Sequence, residues 1–205
     1  MASTASAKQP TGKTRCGWAT GSDDYIHYHD TEWGFPVADD ITLFEKICLE
    51  SFQSGLSWRT ILTKRENFRQ AFSGFDFERI AQFTPRDVER LLQDAGIVRH
   101  RGKIEATINN AQRAVELSER EGSLAGFFWR YEPDAGTAHT AQTVSTTAES
   151  KALSGALKKL GWKFVGPTTV YAFMQAMGLV NDHADECFVR TAASKARRAF
   201  QRPKA

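Results

Sequence analysis

Four residues of this chain have the types, and in part the spacing, of a metal centre: Cys16, His29, His183 and Cys187. His183 and Cys187 lie four apart in DHADEC, the stretch that starts at Asp182, a spacing that on a helix would stack both side chains on one face. Cys16 and His29, thirteen apart, would supply the second half. Two thiolates and two imidazoles suit tetrahedral zinc and leave no position for water, so the site would be structural. The half-sites are more than 150 residues apart, and a buried cysteine is often just a small hydrophobe. Spacing alone leaves both readings open.

Glu50 and the aromatic residues before and after it form a second constellation. Trp18, Tyr25, Tyr28, Trp33, Phe35, Phe44, Phe52 and Trp58 are eight of the chain's 23 aromatic residues, crowded into 41 positions. For the phenylalanines a core role is the simplest reading. Trp and Tyr carry polar handles and flat π faces, which suit a pocket for a planar, cationic ligand. Glu50 continues the helical row Leu43, Ile47, so a carboxylate lies in line with apolar residues; withdrawn from water, it needs donors or a cation. The alternative is an exposed Glu50 paired with Lys46 four residues earlier, worth about 0.2–0.5 kcal/mol. A third element is GWKFVG, from Gly161 to Gly166, with Lys163 inside it. Two glycines permit a tight turn, and the free amides of the following helix can face a phosphate. A plain connector is the competing reading, and a solvated face is the default for the cluster Arg99, Arg101, Lys103.

These residues need a helical frame, and the pattern provides one. Asp40 can cap the run ITLFEKICLESF, whose apolar residues occupy several neighbouring rows, which predicts a helix buried on most sides. TPRDVERLLQDAG, from Thr84, has a cap, Pro at the first helical position and a glycine stop at Gly96. Ile104, Ile108, Ala111 and Val115 mark a further helix that ends near Gly122. The segment from Pro133 lacks large apolar residues and reads as a crossover loop clear of the pocket; a helix, a hairpin and a helix beginning near Pro167 follow. The expected fold is all-α: a flexible leader over 1–15, a body over 16–189 and a basic tail over 190–205.

Composition narrows the classes further. With 205 residues and 41% hydrophobic content, the chain can bury a sizeable core in one large domain or two small ones. The net charge of +3 comes from its ends, which hold nine of the 27 basic groups and no acid; residues 16–189 carry 18 basic against 24 acidic groups, a net of −6. Global charge therefore gives no argument for nucleic acid, and phosphate contacts must be local. Three cysteines do not make a secreted disulfide scaffold, and neither a membrane span nor an export signal is seen, so the cytoplasm is the expected location.

Taken together, RCGWATGSDDYIHYHDTEWGFP (from Arg15), LFEKICLESFQSGLSWRTILTKRENFRQAF, DVERLLQDAGIVRHRGKIEATINNA and LSGALKKLGWKFVGPTTVYAFMQAMGLVNDHADEC resemble the DNA-3-methyladenine glycosylase I family of helix-hairpin-helix glycosylases, from about residue 15 to 187. The resemblance implies a two-lobed helical fold, with the helix-hairpin-helix near 151–179, and excision of 3-methyladenine from alkylated double-stranded DNA by a monomer. It also implies one zinc ion on Cys16, His29, His183 and Cys187. By position, Glu50 corresponds to the glutamate that binds the flipped base, Trp58 to the stacking indole, and Trp18, Tyr25, Tyr28 and Trp33 to the pocket wall. Gly55 and Leu56 match a wedge that fills the gap left by the extruded nucleotide, while Gly161, Lys163 and Gly166 would meet the DNA backbone. Asp182 is expected to orient the imidazole of His183. Two other classes stay open: a non-catalytic, zinc-stabilised helix-hairpin-helix DNA-binding protein, and a zinc hydrolase unrelated to DNA, which four protein ligands disfavour.

Overall fold

The computed structural model describes residues 7–8, 12–134 and 141–203. Among them are eleven α-helices: α1 (Asp23–Thr31), α2 (Asp40–Gln53), α3 (Trp58–Thr63), α4 (Arg65–Ala71), α5 (Phe77–Ile80), α6 (Pro85–Gln93), α7 (Arg101–Glu121), α8 (Leu124–Phe128), α9 (Ala148–Lys159), α10 (Pro167–Ala176) and α11 (Arg190–Ala199). The fold is thus mostly helical, and none of these helices is long and apolar enough to cross a membrane.

Helix α2 is the axis of the molecule. Leu43, Phe44, Ile47, Cys48, Leu49 and Phe52 are all buried on it, and it packs against α3, α7, α8 and α10. That wrapping follows from apolar residues on several adjacent rows rather than on one stripe. Its cap is Asp39, not Asp40: Asp39 accepts from the Thr42 N–H at 2.7 Å. Asp40 is spent elsewhere, its two carboxylate oxygens accepting from the Leu124 and Ala125 N–H groups at the start of α8. Helix α6 starts as its sequence predicts, with Pro85 in the first turn and Asp87 accepting from the Thr84 N–H. Helix α7 ends at Gly122, whose φ of +83° suits glycine.

Helices α9 and α10 are joined by a turn that α7 pins in place. Asn110 exchanges two hydrogen bonds with the Lys163 backbone, at 2.8 and 2.9 Å, and Asn109 donates to the Gly161 carbonyl. Just after α10, Gly178 has φ +75°, and a Cβ there would sit 2.4 Å from the Phe35 carbonyl carbon. Only glycine allows the chain to cross Phe35–Pro36 so closely, and this crossing holds Trp33 and its neighbours against the end of α10.

The two ends carry more structure than the sequence suggests. Strand β1 (Ala7–Lys8) pairs antiparallel with β2 (Thr14–Arg15), and Arg15 is buried, its guanidinium bidentate on Asp30. The rest of the expected leader, 1–6 and 9–11, lies outside the described residues. The basic segment from Arg190 opens as helix α11, and Phe200 packs on Trp129 with ring centres 4.4 Å apart. Arg197 is drawn onto Glu132 and the Leu179 carbonyl, which explains why so basic a stretch docks rather than trails free.

Candidate active site

A cavity of about 340 Å³ opens beside the N-terminal half of the chain. Trp18, Tyr25, Tyr28 and Trp33 come to it from α1 and its flanks, Glu50 and Gln53 from α2, Trp58 from the start of α3, and Ala172 and Gln175 from α10. The rings form one connected wall: Trp18 lies 5.2 Å from Tyr25 and 5.0 Å from Trp33, and Tyr28 lies 5.4 Å from Trp58, all tilted or edge-on. The buried indole N–H of Trp58 has no partner among the described residues.

Glu50 is only 5% exposed. Burial pushes its carboxyl up to about 7, with the charge of Lys46 pulling the other way. Lys46 is itself buried, which takes its ammonium down to about 8 against the pull of Glu50. The two i, i+4 neighbours thus bias each other's charge inside the protein rather than on a solvated face, without a direct hydrogen bond or ion pair between them. Lys46 Nζ donates to Tyr28 Oη at 3.1 Å and stands 4.5 and 4.3 Å from the ring centres of Tyr28 and Trp58. Burial, then the nearby Glu50, keeps the Tyr28 phenol protonated far above its ordinary range.

Cys16, His29, His183 and Cys187 converge directly behind this wall. All four are buried, and their ligand atoms lie within 4.8 Å of one another. Each thiol–imidazole approach is 3.5 Å: Cys16 to His183, Cys187 to His183 and Cys187 to His29. Around a tetrahedral zinc, with Zn–S of about 2.3 Å and Zn–N of about 2.0 Å, sulfur and nitrogen would be separated by about 3.5 Å. The donor set and its spacing therefore fit that ion. The other ring nitrogen of each imidazole is already held, His29 Nδ1 by Asp30 at 2.8 Å and His183 Nε2 by the Trp33 carbonyl at 2.9 Å. Burial works against ionisation of Asp30, but hydrogen bonds from Arg15 and His29 outweigh it and hold the carboxyl below the usual range.

Comparison with known proteins gives the family. The methyladenine glycosylase family model matches residues 18–190. The chain belongs to the methyladenine glycosylase family. It is 51% identical to the DNA-3-methyladenine glycosylase 1 of Escherichia coli (strain K12), over 84% of this chain and 95% of that one. A crystal structure of 3-methyladenine DNA glycosylase I superposes with a TM-score of 0.81 at 50% identity, covering 85% of this chain and 98% of the other. A single-residue variant of such an enzyme, solved in complex with 3-methyladenine, superposes with a TM-score of 0.80 at 38% identity, over 86% and 97% of the two chains.

In this methyladenine glycosylase all six residues singled out for the base pocket, Trp18, Tyr25, Tyr28, Trp33, Glu50 and Trp58, line the one cavity. Gly55 and Leu56 lie outside it, in the turn between α2 and α3, where Gly55 has φ +83° and Leu56 is 43% exposed. Gly161, Lys163 and Gly166 are in the turn between α9 and α10, with Gly166 as the N-cap of α10. Cys48 takes no part in the cluster; it is buried along α2.

Several expectations need correction. His183 and Cys187 are brought together by a turn, with the Cys187 N–H donating to the Ala184 carbonyl, rather than by one face of a helix. Asp182 does not serve the His183 imidazole; it accepts from the Gln142 N–H, from Tyr171 Oη and from Gln175. Through that link the crossover does reach the pocket, and Gln142 and Val144 help line it. In the basic cluster Lys103 is buried, donating to the Phe52 and Ser54 carbonyls at the end of α2, and Arg101 is paired with Glu89. Lys46, Gln53 and Gln175 were missed as site residues. Gln53 lies one turn beyond Glu50, a signal that was legible, whereas nothing in the local sequence points to Gln142.

Proposed function

We propose that this chain is a DNA repair glycosylase that extrudes 3-methyladenine from alkylated double-stranded DNA and hydrolyses its N-glycosidic bond, leaving an abasic site. The observation that carries this reading is Glu50, a buried carboxylate walled by Trp and Tyr rings in a cavity of about 340 Å³. A base inside a duplex is out of reach, so the damaged nucleotide must rotate into such a pocket, and a weakened stack lowers the cost. Methylation at N3 makes the adenine of DNA cationic. The faces of Trp58 and its neighbours then attract it, and Glu50 accepts from its exocyclic amine in a charge-assisted bond. Neutral adenine gains neither attraction in full, and it would leave Glu50 buried without a cationic ligand.

In the bond-breaking step the C1′–N9 electron pair stays with the base, which leaves neutral. The oxygen of water bonds to C1′, and its proton passes to solvent. Because the positive charge already makes the base a good leaving group, no strong acid is required to protonate it. Modest catalysis suffices.

Behind the pocket, Cys16, His29, His183 and Cys187 would hold one zinc ion per chain. Four protein ligands leave no open position, so the ion would supply structural closure and no water activation. These residues pack the histidine rings edge-on against the pocket wall, with His183 4.7 Å from Trp33 and His29 5.2 Å from Trp18. Helices α9 and α10 with their turn read as the helix-hairpin-helix, with Gly161, Lys163 and Gly166 facing backbone phosphate, and Leu56 beside Gly55 reads as the wedge. The body, 16–189, would form the two-lobed glycosylase domain, with 190–205 appended. The chain would act as a monomer, and thiol ligands suit the reducing cytoplasm.

The deciding experiment incubates the protein with methylated duplex DNA in the presence of a chelator and looks for free 3-methyladenine. Release from methylated and not from unmethylated DNA is expected. Binding without release would make the chain a DNA-binding module, and release that stops on chelation while the chain keeps its structure would give the metal a part in the chemistry.

A further inference from the structure

Lys46 is only 4% exposed, a state lysine adopts rarely because its ammonium loses hydration. A methionine would fill similar space without that cost. The ammonium is placed behind the pocket wall, 3.1 Å from Tyr28 Oη and over the rings of Tyr28 and Trp58. An ammonium can only donate, so the phenol oxygen accepts from it and keeps its own single proton for another partner. Tyr28 and Glu50 both line the cavity, where a bound base would be the partner for that proton.

The charges around Lys46 come from three elements. Glu45 and Glu50 share its own helix, Glu32 lies just after α1, and Arg65 faces it from α4. Glu45 is bound to Arg69 at 2.8 and 2.9 Å, and Glu32 to Arg65 at 2.6 and 3.0 Å. Those carboxylates are already neutralised by arginines, so the charge of Lys46 falls to Glu50. From α1, Tyr25 and Tyr28 also face Glu50, and both phenols stay neutral across the physiological range.

We propose that Lys46 is a positioning residue of the base pocket: sealed behind Tyr28 and Trp58, its ammonium turns the Tyr28 hydroxyl into a donor aimed at the bound base and serves as the fixed counter-charge that keeps Glu50 an acceptor. The inference rests on the base-pocket reading above and adds a residue that never touches the base. Burial raises Glu50 and lowers Lys46, so the pH range over which both are charged is narrowed from both sides.

Single-turnover release of 3-methyladenine from methylated duplex DNA, followed from pH 5.5 to 9.5, tests this in the wild type, Lys46→Met and Lys46→Arg. The wild-type rate is expected to rise through pH of about 7 and fall above about 8. Lys46→Met should lose the alkaline fall, move the acid limb upward by about one pH unit, and run about tenfold slower at neutral pH. Lys46→Arg, whose charge persists, should keep the acid limb and push the alkaline one past the measured range. A Met or Arg variant with both limbs where the wild type has them overturns the proposal. So does a wild-type profile that stays flat above pH 8, whether or not the Met variant folds. No release by the wild type at any pH would instead refute the glycosylase reading itself.

Discussion

The main-chain N–H of Gln142 donates to Asp182 Oδ1 at 3.0 Å, and the Gln142 side-chain amide donates to the Asp182 carbonyl at 3.2 Å. The other oxygen of the same carboxylate receives Tyr171 Oη and the Gln175 amide. Asp182 is fully buried, so Asp182→Ala strands several donors at once. Leaving buried donors unpaired costs on the order of 1–3 kcal/mol each, partly relieved by relaxation, and a loss of about 2–4 kcal/mol in urea unfolding is expected. Because Gln142 and Gln175 both line the cavity, KM should rise severalfold while kcat falls less. A destabilised variant with unchanged KM would detach the crossover from substrate binding.

Glu50→Gln should keep the fold and the metal stoichiometry and lose excision by roughly a hundredfold or more, the scale of removing a charged contact to the reacting group. Its effect on stability runs the opposite way. The folded-state pKa of Glu50 is about 7, above the ordinary 4.5, so folding favours the protonated form. That contribution is whole below about pH 4.5 and is lost as the pH rises through about 7. A glutamine imitates the protonated state at every pH. Thermal unfolding should therefore find Glu50→Gln more stable than wild type at pH 8, with the advantage shrinking below pH 7 and gone near pH 4.5. An equal difference at all these values would place Glu50 in contact with solvent.

Much of this site is legible in the sequence because it is carried by residues close along the chain. Trp18, Tyr25, Tyr28, Trp33, Glu50 and Trp58 lie within 41 positions and reach one cavity from adjoining elements. Helix α2 shows its burial in its apolar rows, and α6 its start in Thr84, Pro85 and Asp87. What stays hidden depends on long-range partners. Nothing near Lys46 says whether a lysine four residues from a glutamate faces water or the back of two aromatic rings. Gln142 reaches the pocket through Asp182, forty residues away, in a segment whose small polar composition looks like an idle loop. Arg15 and Arg197 read as tail charges until Asp30 and Glu132 are brought against them by the fold.

Metal analysis should give one zinc per chain, and Cys187→Ala should abolish it. Removing the ion undoes a closure between ligands 171 positions apart in sequence, Cys16 and Cys187, and a large loss of thermal stability is expected. The histidine rings that would hold zinc also pack edge-on against Trp18 and Trp33. Loss of the ion should accordingly loosen the pocket wall and raise KM even at temperatures where the chain remains folded. A metal-free, fully stable wild-type preparation would contradict the ligand set.

Leu56 offers a separation between the pocket and the duplex. It is 43% exposed at a turn fixed by the left-handed Gly55 and by the hydrogen bond from its own N–H to the Gln53 carbonyl. Lys103 grips the Phe52 and Ser54 carbonyls just before that turn, so the projecting side chain stands on a rigid base. Inserting an apolar group where a base has left offsets part of an unstacking cost of about a few kcal/mol. Leu56→Ala should then slow excision from duplex DNA by roughly tenfold to a hundredfold, while methylated single strands, which have no stack to hold open, are processed at the wild-type rate. Stability should change by less than about 0.5 kcal/mol, since the side chain is a surface one. An equal loss on single-stranded and duplex substrates would mean that Leu56 supports the pocket and not the opened helix.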